Sequence, residues 1–218
     1  MRVPFLEVPA GTLRRIPQLL VGLFLCGLGD ALMIDAGLGL GPWDVLHQGI
    51  SRHTGIPIGM VVILVGVVLF LGWIPLRQRI GVGTVLNVIL IGLTIDLLLL
   101  VPFEPSGLFA RGAALLVGDV LLAAGAGIYI GAGLGTGPRD GLMTGLVARG
   151  LPLRTVRTAM ELTVLVFGWL LGGTVGVGTI LFALSIGPIL HEVLKRCDRG
   201  QLVSETTEGD LDAATSGA

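Results

Sequence analysis

The chain carries the same potentially reactive segment twice, and each copy places an aspartate just after a Gly-Pro pair. Ala36 to Ile50 reads AGLGLGPWDVLHQGI and Ala132 to Leu146 reads AGLGTGPRDGLMTGL, with nine of the 15 positions identical. Asp44 and Asp140 fall near the third residue of the short helix that each Pro would open, where a carboxylate can accept the free N–H groups of the first turn. The two carboxylates therefore either cap their helices or face a ligand, and both interpretations stay open.

The two copies differ in the side chains that can recognise a solute. Trp43 and His47 in the first copy correspond to Arg139 and Met143 in the second. Corresponding Gly/Pro-interrupted segments in the two halves of a membrane protein point to a solute site at the interface between the halves. Because the side chains are not the same, a symmetric scaffold can hold an asymmetric site.

Further polar side chains lie within long apolar runs, where an ionisable group is costly unless it faces a cavity or a partner. Asp30 and Glu161 lie well inside their runs, and each either binds a ligand or a proton or pairs with a neighbouring helix. Asn87 and Asp96 share another run, and Asp96 corresponds to His191 in the second copy. The predicted substrate-binding residues are Asp44, Asp140, Trp43, His47, Arg139, Asp30, Asn87, Asp96 and Glu161.

The apolar composition indicates which elements must position these side chains. Of the 218 residues, 53% are hydrophobic and 13% are charged, and the mean hydropathy is +0.91, which is far too apolar for a soluble domain. An apolar run that crosses a hydrocarbon core of ~30 Å must be a helix, because only a helix satisfies its backbone groups internally. Six such runs are predicted, at residues 17–36, 56–75, 80–102, 112–133, 154–172 and 174–194.

The duplication covers almost everything between residues 17 and 196, at an offset of about 95 residues. Three spans in each copy make the second copy enter the membrane from the opposite side, so the repeats are predicted to be inverted. Residues 42–53 would extend only about 18 Å as a helix and include charged groups, which favours a re-entrant half-helix over a crossing. Eight spans with parallel repeats are the alternative.

The distribution of charge predicts the side on which each end lies. With the amino terminus inside, the six-span path places twelve Lys and Arg residues inside and two outside, in agreement with the positive-inside rule. The eight-span path gives eleven against three, so charge alone does not decide between the two paths. We expect a multi-pass protein of the bacterial plasma membrane with both termini in the cytoplasm.

These features divide the chain into five segments. A cytoplasmic amino-terminal segment (1–16) precedes the first repeat (17–103), and an outside loop (104–111) connects it to the second repeat (112–199). Residues 200–218 are polar and acidic without periodicity, which predicts a disordered cytoplasmic tail.

The chain lacks the short motifs of common catalytic and nucleotide sites, including HExxH, a CxxC pair, the Walker lysine motif and the Gly-x-Ser-x-Gly elbow. Its three histidines have no ligand-like spacing. We therefore expect no enzyme activity, no catalytic residue, no metal and no cofactor. The expected partners are the lipid bilayer and an unidentified small solute but no nucleic acid, and self-association stays open.

The pattern GLGxGPWDVLxxGIxxxTGIPIG, an apolar helix, an R-x-R loop and GxGTxxNxxxIGxxID together resemble the YczE/YyaS/YitT group of bacterial membrane proteins. The residues that carry it are Gly37 to Gly59, Arg77 to Arg79 and Gly81 to Asp96. The second copy departs from this pattern, with Phe182 in the place of Asn87. The resemblance implies a polytopic protein of the bacterial plasma membrane.

Two functions are compatible with these features. The paired breaks and the buried carboxylates favour a secondary transporter or permease of a small solute. The Gly-rich packing faces and the missing catalytic motif fit equally well a non-transporting accessory protein that regulates a partner enzyme.

Overall fold

A computed structural model describes residues 12–78, 80–101 and 103–197, so the predicted acidic tail (200–218) lies outside the described residues. Every regular element in the described ranges is a helix, which confirms the predicted all-α class for this part of the chain. The helices are α1 (Thr12–Ala36), α2 (Pro42–Thr54), α3 (Ile58–Leu76), α4 (Val82–Leu99), α5 (Gly107–Gly131), α6 (Pro138–Val147), α7 (Leu153–Leu170) and α8 (Val177–Cys197).

Two helices begin earlier than the apolar runs predict. α1 begins at Thr12 rather than at residue 17, and α5 begins at Gly107, inside the segment predicted as a loop (104–111). A helix can continue beyond the hydrocarbon region because its backbone hydrogen bonds remain internal in the more polar flanking layer as well. Hydropathy therefore marks the apolar part of a helix and not its ends.

Five helices are long and apolar enough to cross a membrane, namely α1, α3, α4, α5 and α8. α7 has 18 residues but carries Arg154, Arg157 and Glu161, and does not reach the apolar composition of those five. With 13 and 10 residues, α2 and α6 are too short to cross.

The outer surface of the bundle is apolar. Leu71, Leu97, Phe167 and Leu184 are each more than half exposed and belong to four different helices. Exposed apolar surface on this scale promotes aggregation in water, but it is the surface that lipid chains contact. The described helices are therefore arranged as a membrane bundle.

The duplicated sequence folds into the same local structure twice. Each long first helix ends in a glycine loop, with φ of 60° at Gly37 and 64° at Gly133, and of 117° at Gly39 and 126° at Gly135. A positive φ of this kind strains any residue that has a side chain, so glycine is required at these turns. A proline then opens the short helix in both copies.

α1 and α5 pack in opposite directions at the centre of the bundle. A Cβ atom added to Gly22 would lie 2.8 Å from the carbonyl oxygen of Gly125, and one added to Gly29 would lie 2.5 Å from that of Gly118. Residue numbers rise along α1 as they fall along α5, so the two helices are antiparallel. Small residues at these crossings let the two backbones approach more closely than any side chain would allow.

Each repeat also holds the broken loop of the other. The N–H of Gly83 in the first turn of α4 donates a hydrogen bond to the carbonyl oxygen of Leu134 (2.8 Å), and the N–H of Gly178 in α8 donates one to that of Leu38 (2.9 Å). The two bonds connect equivalent positions of the duplication. Neither loop is thus positioned by its own repeat alone.

The two halves differ in how their last two helices pack. In the first half α3 lies along α4, and the Asp96 carboxylate accepts hydrogen bonds from the N–H groups of Gly59 (2.7 Å) and Met60 (2.9 Å). The counterpart of Asp96 is His191, and among the described residues no comparable packing joins α7 to α8. A gap therefore separates α7 from α8.

Gly29→Ala should lower the free energy of unfolding by about 1–3 kcal/mol, the usual cost of overpacking, because its methyl group would overlap the Gly118 backbone. Gly112→Ala in α5 is the matched control, since a Cβ atom there would meet nothing within 4 Å. The control should leave stability unchanged or raise it slightly. Thermal unfolding in lipid nanodiscs measures both, and equal effects would contradict the close α1–α5 contact.

Candidate functional site

A central cavity of about 90 Å³ lies where the two broken segments meet. Trp43 and Asp44 in the first turn of α2 line it together with Pro138 and Arg139 in the first turn of α6. Glycine is the N-cap residue of both helices, so neither has a side-chain cap. The positive ends of two helix dipoles therefore meet at one cavity.

Asp30 on α1 contributes a buried carboxylate to the central cavity. Only 6% of the residue is exposed, and its Oδ1 atom has no hydrogen-bond partner. Asp44 and Arg139 are near enough to Asp30 to interact with it electrostatically. Because an unpaired buried carboxylate is costly, this position requires either a proton or a ligand.

Trp43, Asp44 and His47 lie close together at the start of α2 and line the central cavity. Together with Asp30 we call them the acidic wall. The Asp44 Oδ1 atom lies 3.3 Å from Nδ1 of His47, one turn further along the helix. The rings of Trp43 and His47 are 6.4 Å apart, and both residues are buried. The first repeat thus supplies carboxylates, an imidazole and an indole to one side of the cavity.

The second repeat contributes a guanidinium group to the same cavity. The Nε atom of Arg139 lies 3.8 Å from Oδ1 of Asp140, and the Tyr129 hydroxyl lies 3.5 Å from Oδ2 of the same carboxylate. Guanidinium groups stay protonated in proteins, so Arg139 is a fixed cation. Since Asp140 is its one ion-pair partner among the described residues, most of its N–H groups remain free to bind other acceptors.

Asn87 and Phe182 occupy equivalent positions, and each faces the broken segment of the opposite repeat. A Cβ atom added to Gly137 would lie 3.6 Å from Oδ1 of Asn87, and one added to Gly41 would lie 3.2 Å from the ring of Phe182. Asn87 lines the central cavity. One duplicated position thus provides an amide on one side and an apolar ring on the other.

A second cavity of about 260 Å³ adjoins the central one and shares Trp43, Tyr129 and Arg139 with it. It occupies the gap between α7 and α8. Oε1 of Glu161 lies 3.2 Å from Nε of Arg157 on the same helix, and both side chains are more than a third exposed. The two cavities together form a path from the buried acids to a partly exposed ion pair.

Eight of the nine predicted site residues line one or both cavities. The central cavity takes Asp30, Trp43, Asp44, His47, Asn87 and Arg139, and the second cavity takes Trp43, Arg139, Asp140 and Glu161. Asp96 lines neither of them and binds the first N–H groups of α3 instead. That these residues bind a solute stays a prediction.

Besides apolar lining residues, two residues of the central cavity with polar or reactive side chains were not predicted from the sequence, namely Tyr129 and Cys26. Tyr129 is the one tyrosine of the chain and is 4% exposed, with its hydroxyl near Asp140. Its isolation as a polar aromatic group in an Ala/Gly-rich run is the signal that could have indicated it. Cys26 carries no such signal, and its Sγ atom lies 3.6 Å from the carbonyl oxygen of Leu122.

Asp96→Ala should destabilise the protein by about 1–3 kcal/mol, because it leaves the first N–H groups of α3 without their acceptor. His191→Ala at the equivalent, exposed position of α8 is the control and should have little effect. Chemical or thermal unfolding of the purified variants measures the difference. An Asp96 variant as stable as the control would show that the cap contributes nothing.

Comparison with known proteins places this architecture in a family. The model of a family described as "Family of unknown function (DUF6198)" matches residues 13–195. An uncharacterized protein of Haemophilus influenzae is 42% identical over 179 residues, which cover 82% of each chain. No solved structure matches the chain significantly.

Two relatives from Bacillus subtilis carry the names that the motifs suggested. The uncharacterized membrane protein YczE is 38% identical over 174 residues, covering 78% of this chain and 80% of its own length. The uncharacterized protein YyaS is 29% identical over 186 residues, covering 82% and 92%. The motif resemblance is therefore confirmed, and the chain belongs to the YczE/YyaS family of bacterial membrane proteins.

Proposed function

We propose that the protein is a secondary transporter or permease of a small solute, with its binding site between two inverted repeats. The observation that carries the proposal is the central cavity, where the first turns of both broken helices meet the unpartnered carboxylate of Asp30. Secondary transporters commonly bind their solute at such a place, between corresponding interrupted helices of two repeats. An ionisable group at this depth is by default functional.

The antiparallel packing of α1 and α5 supports the inverted arrangement. These helices are equivalent in the duplication, and both are long and apolar enough to cross. As helices, α2 and α6 extend only about 20 Å and about 15 Å, which suits half-helices within the membrane. We take α7 as the sixth crossing, because Arg157 and Glu161 pair with each other and line a cavity instead of facing lipid.

The unequal packing of the two halves supports a transport cycle. α3 and α4 are in contact in one half, whereas a gap separates α7 from α8 in the other. In a protein built from inverted repeats, exchanging the two arrangements turns a cavity open to one side into a cavity open to the other. With both termini inside, the α7–α8 gap opens toward the cytoplasm, so this conformation faces inward.

Asp44→Asn and Asp140→Asn should each reduce solute flux at least about tenfold, since a site that binds through carboxylates loses about 1.4 kcal/mol or more with each charge. Currents across proteoliposomes on a solid-supported membrane, recorded after jumps in the concentration of amines, amino acids, sugars and organic acids, measure the flux. Glu192→Gln is the control, because Glu192 pairs with Arg196 on the surface of α8.

A complete lack of flux for every solute, with and without a proton gradient, would count against transport. The alternative of an accessory protein predicts a different pattern. Crosslinking would then recover one partner in fixed stoichiometry, and the partner's activity would survive substitution of every carboxylate in the cavities.

Single cysteines at the carboxyl-terminal ends of the two short helices should react from opposite sides of the membrane. Arg52 and Arg149 donate hydrogen bonds to the carbonyl groups of Gly172 and Pro75, so neighbouring exposed positions disturb the structure less. In a variant without the native cysteines, His53→Cys should be labelled by an impermeant maleimide on intact cells. Ala148→Cys should be labelled only after the membrane is opened. Labelling of both from one side would contradict inverted repeats.

A further inference from the structure

We infer that the central cavity binds the ammonium group of a small organic compound, held by the carboxylates of Asp30 and Asp44 beside the indole of Trp43. The inference names the substrate class for the proposed transport site and rests on that proposal for the movement of the solute. Binding itself is measurable in a protein that moves nothing across a membrane.

The charges around the central cavity do not balance. Arg139 is the one arginine or lysine of the lining, and its nearest carboxylate is Asp140, at 3.8 Å on its own helix. Asp44 has His47 at 3.3 Å, and Asp30 has no ion-pair partner among the described residues. The positive ends of α2 and α6 also meet this cavity and offset part of the charge of Asp44, so the carboxylate that still lacks a partner is Asp30, which a bound cation would neutralise.

The Asp30 side chain lines the cavity, and its carboxyl group is short of hydrogen-bond partners. Its Oδ1 atom is enclosed and unpartnered, on a residue that is 6% exposed, so a donor that reaches the carboxyl group from the cavity would stabilise its charged form. An ammonium group presents several N–H donors around one positive charge and forms short, strong bonds to carboxylates. Asp30 and Asp44 both line the cavity and are close enough to interact electrostatically, so one such group can be shared by both.

Trp43 adds a second feature that suits an ammonium group. Indole attracts organic cations more strongly than the other aromatic rings do, and the attraction grows when both partners are removed from water. Trp43 is 9% exposed and lines the cavity next to Asp44. The equivalent position in the second repeat is Arg139, which would repel the same group. The groups that attract a cation are therefore supplied by the first repeat and not by the second.

The rest of the lining favours an organic cation over a metal ion. It is largely aliphatic, with contributions from Val62, Val65, Leu69, Val88, Ile91 and Leu122. Metal cations prefer several oxygen, nitrogen or sulfur ligands around one point, and the described residues contain no cluster of three or more His, Cys, Asp or Glu suited to one. A carbon skeleton, in contrast, gains free energy by contact with these apolar side chains.

The test uses the full-length protein in lipid nanodiscs and three probes with closely matched carbon skeletons, namely isopentylamine, isopentanol and isovalerate. At neutral pH they are a cation, a neutral alcohol and an anion. Shifts of the thermal unfolding midpoint and changes of tryptophan fluorescence are recorded against probe concentration. Isopentylamine should bind at least about tenfold more tightly than isopentanol, and isovalerate should bind no more tightly than the alcohol.

Asp30→Asn should weaken the binding of isopentylamine at least about tenfold and leave that of isopentanol unchanged. Without ligand, this variant should be as stable as the native protein or more stable, because it removes an unpaired buried charge. Asp119→Asn is the matched control, since Asp119 is also buried, at 2% exposure, and also has an unpartnered Oδ1 atom, but its Oδ2 atom accepts a hydrogen bond from Ser185 and it lines neither cavity. Its affinity for the amine should equal that of the native protein.

An amine that binds no better than the alcohol, or that binds Asp30→Asn as tightly as the native protein, would overturn the inference. The second result is also expected if a proton alone neutralises Asp30. A marked loss of stability in ligand-free Asp30→Asn would assign the residue a structural role and overturn the inference as well. Binding of the amine without flux in proteoliposomes would contradict transport only, whereas flux of an anion without amine binding would contradict the ligand class only.

Discussion

The close antiparallel contact between α1 and α5 is the constraint on which the rest of the structure depends. Backbones can approach this closely only where both helices present glycine, as at Gly22 with Gly125 and at Gly29 with Gly118. The Arg111 side chain closes one end of the pair through hydrogen bonds to the last carbonyl groups of α1. Because each long helix leads directly into a broken loop, the direction of this contact fixes where both breaks must lie.

Backbone contacts between the repeats then make one site from two breaks. Gly83 and Gly178 donate hydrogen bonds to the loops of the opposite halves, and the indole of Trp73 donates one to the carbonyl oxygen of Pro138 (2.9 Å). The same scaffold tolerates different side chains, because the backbone makes most of the symmetric contacts. Acids and an indole of the first repeat can therefore line the same cavity as an arginine of the second repeat. The two repeats thus present different chemical groups to one cavity.

The two halves pack differently both at a position where the duplicated residues differ and at one where they are identical. Asp96 binds the start of α3, whereas its counterpart His191 makes no such cap, and only α3 lies along its following helix. Likewise Trp73 is 2% exposed and Trp169 is 62% exposed. The half in which α3 packs on α4 thus has a capping carboxylate, Asp96, and a hydrogen-bonded indole, Trp73. The half with the gap between α7 and α8 has neither contact among the described residues. One duplicated sequence thus adopts two different packing arrangements within a single chain.

The sequence by itself determined the helical class, the duplication, the two breaks and most of the polar residues of the cavities. These features are predictable because a chain segment that crosses lipid must satisfy its own backbone hydrogen bonds, and because glycine and proline set the backbone conformation at their own positions. The sequence could not separate Asp96 from Asp30, since both are acids within apolar runs and only their neighbours differ. It also could not find Tyr129 or the gap beside α7. The position of Tyr129 in the cavity and the gap beside α7 depend on which helices pack together in the tertiary structure. Local sequence patterns do not determine that packing.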